Sequence, residues 1–235
     1  MQKFINLFYS FKKLSTMKKY FSSILFAIIC GMFIASCGGG SGKKLASNDY
    51  LGDLPNLVYQ KHISDSVFKE KLEAEVSKAK LAGKFNEAKA MQIYEKYKIA
   101  DKEANKKYDA DVEAIKAKLV GKAIPFEVEE GLGYKVISCK ISDVKSGTVN
   151  AEFELEIIDA KEANVSRWGK PSVSVRFHNI DKEGNILGSE YGSSAYVELS
   201  GKDDGSTGKG IAYISFYAKN AAEYANFAKI KFFKK

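Results

Sequence analysis

The chain is poor in the residues that most often carry recognisable chemistry. Of its 235 residues only three are cysteine, two histidine, three proline and one tryptophan. Cys30 and Cys37 belong to the N-terminal hydrophobic stretch, which leaves Cys139 alone in the body and excludes an internal disulfide there. His62 and His178 have no serine or cysteine at a useful register. That argues against a Ser/His/Asp triad and against a His/Cys metal site. A long apolar run is missing as well. Tyr20–Met32 is the most hydrophobic segment, too short and too lightly flanked for a stable membrane span.

What the N-terminus does contain is a leader. Met17 is followed by Lys18 and Lys19, the short apolar core, and then Ile34-Ala35-Ser36-Cys37. Met17 is a more economical start than Met1, since it opens directly on the basic residues. An aliphatic residue, two small ones and cysteine resemble, position by position, the lipobox of bacterial lipoproteins, including those of Bacteroidota. The resemblance implies cleavage after Ser36, a signal peptide over 1–36, and Cys37 as the acylated first residue of an envelope protein anchored at the outer membrane. Stable anchoring takes more than one acyl chain, as that modification supplies. Which face of the membrane carries the body stays open.

Processing also changes the charge argument. The formal net charge of +8 comes from 37 basic and 29 acidic residues. Residues 1–36 hold five lysines and no carboxylate, so the remainder carries 32 against 29. No basic stripe survives to bind nucleic acid. Residues 37–52 begin Cys-Gly-Gly-Gly-Ser-Gly-Lys-Lys and read as a flexible tether.

Residues 53–122 are expected to form a long helical hairpin. From Asp65 to Leu119 the chain is rich in Ala, Lys and Glu, without proline, and broken at Gly83. Ser64 is the candidate cap of the first segment, with Phe68, Leu72, Val76 and Ala79 at helical spacing. The second carries Ile93, Tyr97, Ala100, Ala104, Tyr108, Val112, Ile115 and Leu119 in steps of three and four. This stripe is thin. It is suited to packing on the partner helix, on the following domain or on another molecule.

After Gly121 the period changes from 3.6 to 2. Val149, Ala151, Phe153, Leu155 and Ile157 alternate with Asn150, Glu152, Glu154 and Glu156. Tyr134–Ile141, Val173–Phe177, Ala195–Leu199, Gly210–Ala218 and Phe227–Phe233 are further strands, with Asp181–Asn185 as a hairpin turn. Cys139 is expected on one face with Ile137 and Ile141, as a buried thiol. Short strands at this spacing indicate an antiparallel β-sandwich over 123–235, and an α+β fold for the whole. Residues Val173–Ser189, with the turn Asp181-Lys-Glu-Gly184 and the later Ile211–Phe216, resemble small immunoglobulin-like domains of bacterial lipoproteins, the FxLYD-like group among them. That resemblance implies a non-enzymatic module and transfers no active-site residues.

Chemistry is sparse. Glu152, Glu154 and Glu156 occupy the outward side of a strand, where solvation and protection against sheet pairing suffice. Asp203-Asp204-Gly205-Ser206 lacks the spacing of a calcium loop and reads as a polar hairpin tip. No catalytic residue, cofactor site or metal site is assigned. Trp168, beside Arg167, is either a seal on one end of the sandwich or an exposed binding aromatic. Arg167, Trp168, Tyr191 and Tyr196 form the candidate binding surface. The function expected is a non-catalytic binding or structural module of the envelope, acting through protein contacts. A glycan-binding accessory lipoprotein is the alternative, and an envelope hydrolase the least supported reading.

Overall fold

The computed structural model describes residues 44–83, 86–166, 168–201, 206–217 and 219–234. The leader, the Ile34–Cys37 motif, Arg167 and the Asp203-Asp204 turn lie outside the described residues. Two helices open the structure, α1 (Leu54–Leu81) and α2 (Glu87–Leu119). They are followed by β1 (Phe126–Val128), β2 (Tyr134–Lys145), β3 (Thr148–Ile157), β4 (Ser172–Asp181) and β5 (Ile186–Leu187). The remaining elements are β6 (Ser193–Ser200), β7 (Thr207–Ser215), the single turn α3 (Ala221–Tyr224) and β8 (Phe227–Phe233). The fold is α+β, with a mostly antiparallel sheet after the helices.

Helix α1 starts well before the expected cap at Ser64. Pro55 stands in its first turn, where a missing N–H costs nothing and a fixed φ favours the helix. Leu54 and Val58 are buried there against the body. The expected α2 stripe is found: Ile93, Ala100, Tyr108, Val112 and Leu119 are buried, and the Asn86 side chain caps the helix by accepting from the Lys89 N–H. Phe68 meets Tyr97 edge-on at 5.0 Å, Glu75 pairs with Lys96 at 3.0 Å, and the Lys61 ammonium lies 5.9 Å from the Tyr108 ring. Contact partners fall in number along α2 as they rise along α1, so the helices are antiparallel.

The sheet order is β1-β8-β4-β6-β7-β3-β2, with β5 paired to β4. Among the described residues only the β1–β8 pair is parallel. Phe153 of β3 and Phe232 of β8 are far apart in this order, yet their rings are 5.1 Å apart. The sheet therefore curls until its apolar faces meet. The segment 121–128 touches both ends of the order. Gly121 N–H donates to the Ile141 carbonyl at 2.8 Å and Ile124 N–H to that of Cys139 at 3.0 Å, while Phe126–Val128 pair with Ile230–Phe232.

The β2 register departs from simple alternation. Bulges fall between Val136 and Ser138 and between Ile141 and Asp143. The first turns Ile137 outward, 49% exposed, while Val136 and Cys139 both face the core. Cys139 thus shares a face with Ile141 but not with Ile137, which corrects the expectation from alternation. Strand β7 also begins earlier than expected, at Thr207, and α3 interrupts a region that the sequence pattern reads as strands alone. At Gly210 an added Cβ would lie 2.4 Å from Phe153 Cζ, so the large ring requires the small residue beneath it.

Helices and strands share one core across residue 122. Val58, Tyr108, Val112 and Leu119 join the cluster that contains Cys139, Phe153 and Phe232. Helix α2 runs antiparallel beside β2: Tyr108 Oη lies 2.7 Å from Ser146 Oγ and Lys116 Nζ 2.6 Å from Asp143 Oδ1. That ion pair is solvent-screened, so apolar burial is the larger part of the docking. Helix residues before Tyr108 extend past the β2–β3 turn as a two-helix arm, about 30 Å long at 1.5 Å per residue.

The stretch Asn48–Gly52, placed in the tether by composition, is bound into the body. Asn48 Oδ1 accepts from the Tyr50 and Leu51 N–H groups, each at 2.9 Å. Its Nδ2 donates to the Ala225 and Phe227 carbonyls at 2.9 and 2.8 Å. Leu51 is buried beside it. The composition signal of the tether therefore ends before Asn48, because a buried amide with all its capacity used cannot be a free spacer. Asn48→Ala should lower stability by about 2–3 kcal/mol, since it orphans buried backbone groups. Lys102→Ala, on the exposed side of α2, should change it by under about 0.5 kcal/mol. Urea unfolding of the two variants measures the difference.

Candidate functional site

The outward side of β4, β6 and β8 carries the only sequence-selected binding residues that the described structure brings to one region. Tyr196 stands opposite Ser174 across the β4–β6 pair, 65% exposed. Tyr191 lies in the β5–β6 loop, 81% exposed, and its carbonyl accepts from Arg176 Nη2 at 2.6 Å. Trp168 lies in the loop before β4, 94% exposed, so the reading of it as a seal on the β body is set aside. The bridge Ser166–Ser172 holds the base of that loop.

Sequence reasoning missed the three side chains that organise this face. Arg176 lies over the Phe233 ring, with 5.2 Å from Cζ to the centroid. His178 stacks on the same ring at 4.1 Å and 7°. Register explains the grouping, because Phe233 is the cross-strand partner of Arg176, and His178 follows two residues along on the same side. Gly192 gives the ring its place: a Cβ there would lie 2.8 Å from Phe233 Cζ, and the residue sits at φ 70°. The alternation Val173, Val175, Phe177 marked Arg176 as outward-facing, but nothing local placed Phe233 beside it.

The surrounding lysines have carboxylates. Lys170 pairs with Glu198 at 2.9 Å, and Glu127 receives Lys229 at 2.5 Å and Lys231 at 3.6 Å. These lysines hold the Glu127 carboxyl below its usual range. Partial burial, with the Arg176 guanidinium second, holds His178 below its ordinary 6.5. Among the described residues the Nδ1 atom of that ring is buried without a hydrogen-bond partner, consistent with a neutral imidazole.

Elsewhere several titratable groups take part in holding strands and turns. Glu152 and Glu156 form cross-strand pairs with Lys209 and Lys135. The Asp181 carboxylate shapes its turn by accepting from the Glu183 and Asn185 N–H groups, and these bonds keep it ionised. Burial pushes the Cys139 thiol up to about 12. Among the described residues no group of three or more His, Cys, Asp or Glu could hold a metal ion. No family model, curated protein or solved structure matches the chain.

Two outcomes follow from these environments. The His178 value is lowered on folding, so the unfolded chain takes up the proton more readily and stability falls as pH drops through 6.5 and below. His178→Gln should flatten that part of the pH dependence, read from urea midpoints at about pH 7.5 and about pH 5.5. Cys139, 2% exposed, should resist a maleimide in the folded chain and label fully in denaturant, with peptide mapping identifying the site.

Proposed function

We propose that the chain is a bacterial envelope lipoprotein, anchored through acyl chains on Cys37, whose body is a non-catalytic binding or structural module. The observation that carries the reading is the position-by-position lipobox at Ile34-Ala35-Ser36-Cys37 behind a basic, apolar leader. Among the described residues no helix is long and apolar enough to cross a membrane. Acylation would supply the membrane attachment, with the outer membrane as its place.

The body is read as an immunoglobulin-like sandwich of the FxLYD-like kind. In support, β2, β3 and β7 are consecutive in the order, as are β6, β4 and β8, and the chain passes between these groups after β3, after β6 and after β7. Segment β1 would take the place of a last strand, parallel to β8. Protein contact is the favoured mode of action. The arm exposes Leu81, Met91, Tyr94 and Ile99, apolar side chains available to a partner. Exposure of Trp168, Tyr191 and Tyr196 supports the second reading, glycan capture by an accessory lipoprotein.

Cys37→Ala tests the anchor. In a bacterial host the parent chain should partition with membranes and carry a diacylated or triacylated N-terminal cysteine by mass spectrometry. The variant should lose both the lipid mass and the membrane association. An unmodified Cys37 in the parent would refute the reading.

A further inference from the structure

We propose that the outer face of β4, β6 and β8 is a binding site for acidic sugars, with Arg176 receiving the sugar carboxylate and Tyr191 and Tyr196 flanking the ring. The proposal rests on the glycan reading above and names its ligand class.

Three observations carry it. First, Arg176 is held in place without a counter-ion. Its Nη2 donates to the Tyr191 carbonyl at 2.6 Å and its Cζ lies 5.2 Å from the Phe233 ring centroid, but among the described residues no carboxylate pairs with it. The neighbouring lysines at 170, 229 and 231 are each matched by Glu198 or Glu127. An oriented guanidinium with unused N–H donors suits the bidentate geometry of a carboxylate. Second, the support beneath it is rigid. Phe233 is stacked on the His178 ring, and Gly192 leaves room for it where a Cβ would not. Little ordering is then left for the moment of binding.

Third, the surroundings match a sugar better than a bare anion. Ser194 is opposite Arg176, and Tyr196 lies two residues along the same strand, about 7 Å away on the same face. Ser174 and Ser194 are exposed hydroxyls able to exchange hydrogen bonds with ring substituents. Tyr191 and Tyr196 present largely exposed rings, suited to the C–H face of a pyranose.

The test is calorimetric titration of the full chain in detergent with an oligoglucuronate and with the uncharged oligoglucose of equal length. The acidic ligand should bind at least about tenfold tighter, with the advantage shrinking as salt rises. Arg176→Gln should remove that advantage. Ser194→Asp should do the same by placing a carboxylate directly opposite Arg176, and its exposed position makes it decisive if Arg176→Gln does not fold. Equal binding of the two ligands would overturn the acidic class and leave the glycan reading standing. Binding of neither would overturn both. Undiminished acidic preference in Ser194→Asp would overturn the assignment to Arg176.

Discussion

The requirement that buried backbone groups be paired is what organises this protein, and residues 121–128 are where it is met. One short segment donates to β2 through Gly121 and Ile124 and then aligns in parallel with β8 through Phe126–Val128. Strands β2 and β8 thereby both gain a partner along an edge that would otherwise be open. Because α2 ends immediately before this segment, the helix is fixed beside β2. Asn48 repeats the logic on a smaller scale: one side chain satisfies four backbone groups and fastens the N-terminal approach to the start of β8.

The two sides of the sheet serve different ends. Inward, Phe153, Phe177 and Phe232 meet edge to face, a geometry favoured by their ring quadrupoles. Outward, Phe233 stacks on His178 and has the Arg176 guanidinium 5.2 Å from its ring centroid. Neighbouring phenylalanines at the end of β8 thus divide between core and surface by strand alternation alone. The rigidity of the inner layer fixes the outer cluster, since β8 is paired on both sides there.

Much of the fold was legible because it rests on local periodicity. The α2 stripe from Ile93 to Leu119 and the β3 alternation from Val149 to Ile157 both hold in the structure. Departures arise where a local pattern is overridden. Ile137 leaves the core at a bulge, Asn48 leaves the tether through bonds to residues nearly 180 positions away, and α1 gains an N-terminal portion from burial of Leu54 and Val58. The candidate site was legible only in part. Tyr191 and Tyr196 were identifiable as aromatics in polar surroundings, whereas Arg176 gained its meaning from Phe233, a residue distant in the chain.

By itself the sequence determined the long second helix, the alternation of strands such as β3, and the Ile34–Cys37 pattern from which the anchor is inferred. Each depends on neighbours within a few residues, where spacing encodes which side of an element faces which way. Tertiary structure alone decided that helices and sheet share a core, that Asn48 is bound into the body, and that Arg176 stands oriented with no carboxylate paired to it among the described residues. Those properties come from residues brought together across long stretches of chain, and no periodicity records which strand will lie beside which.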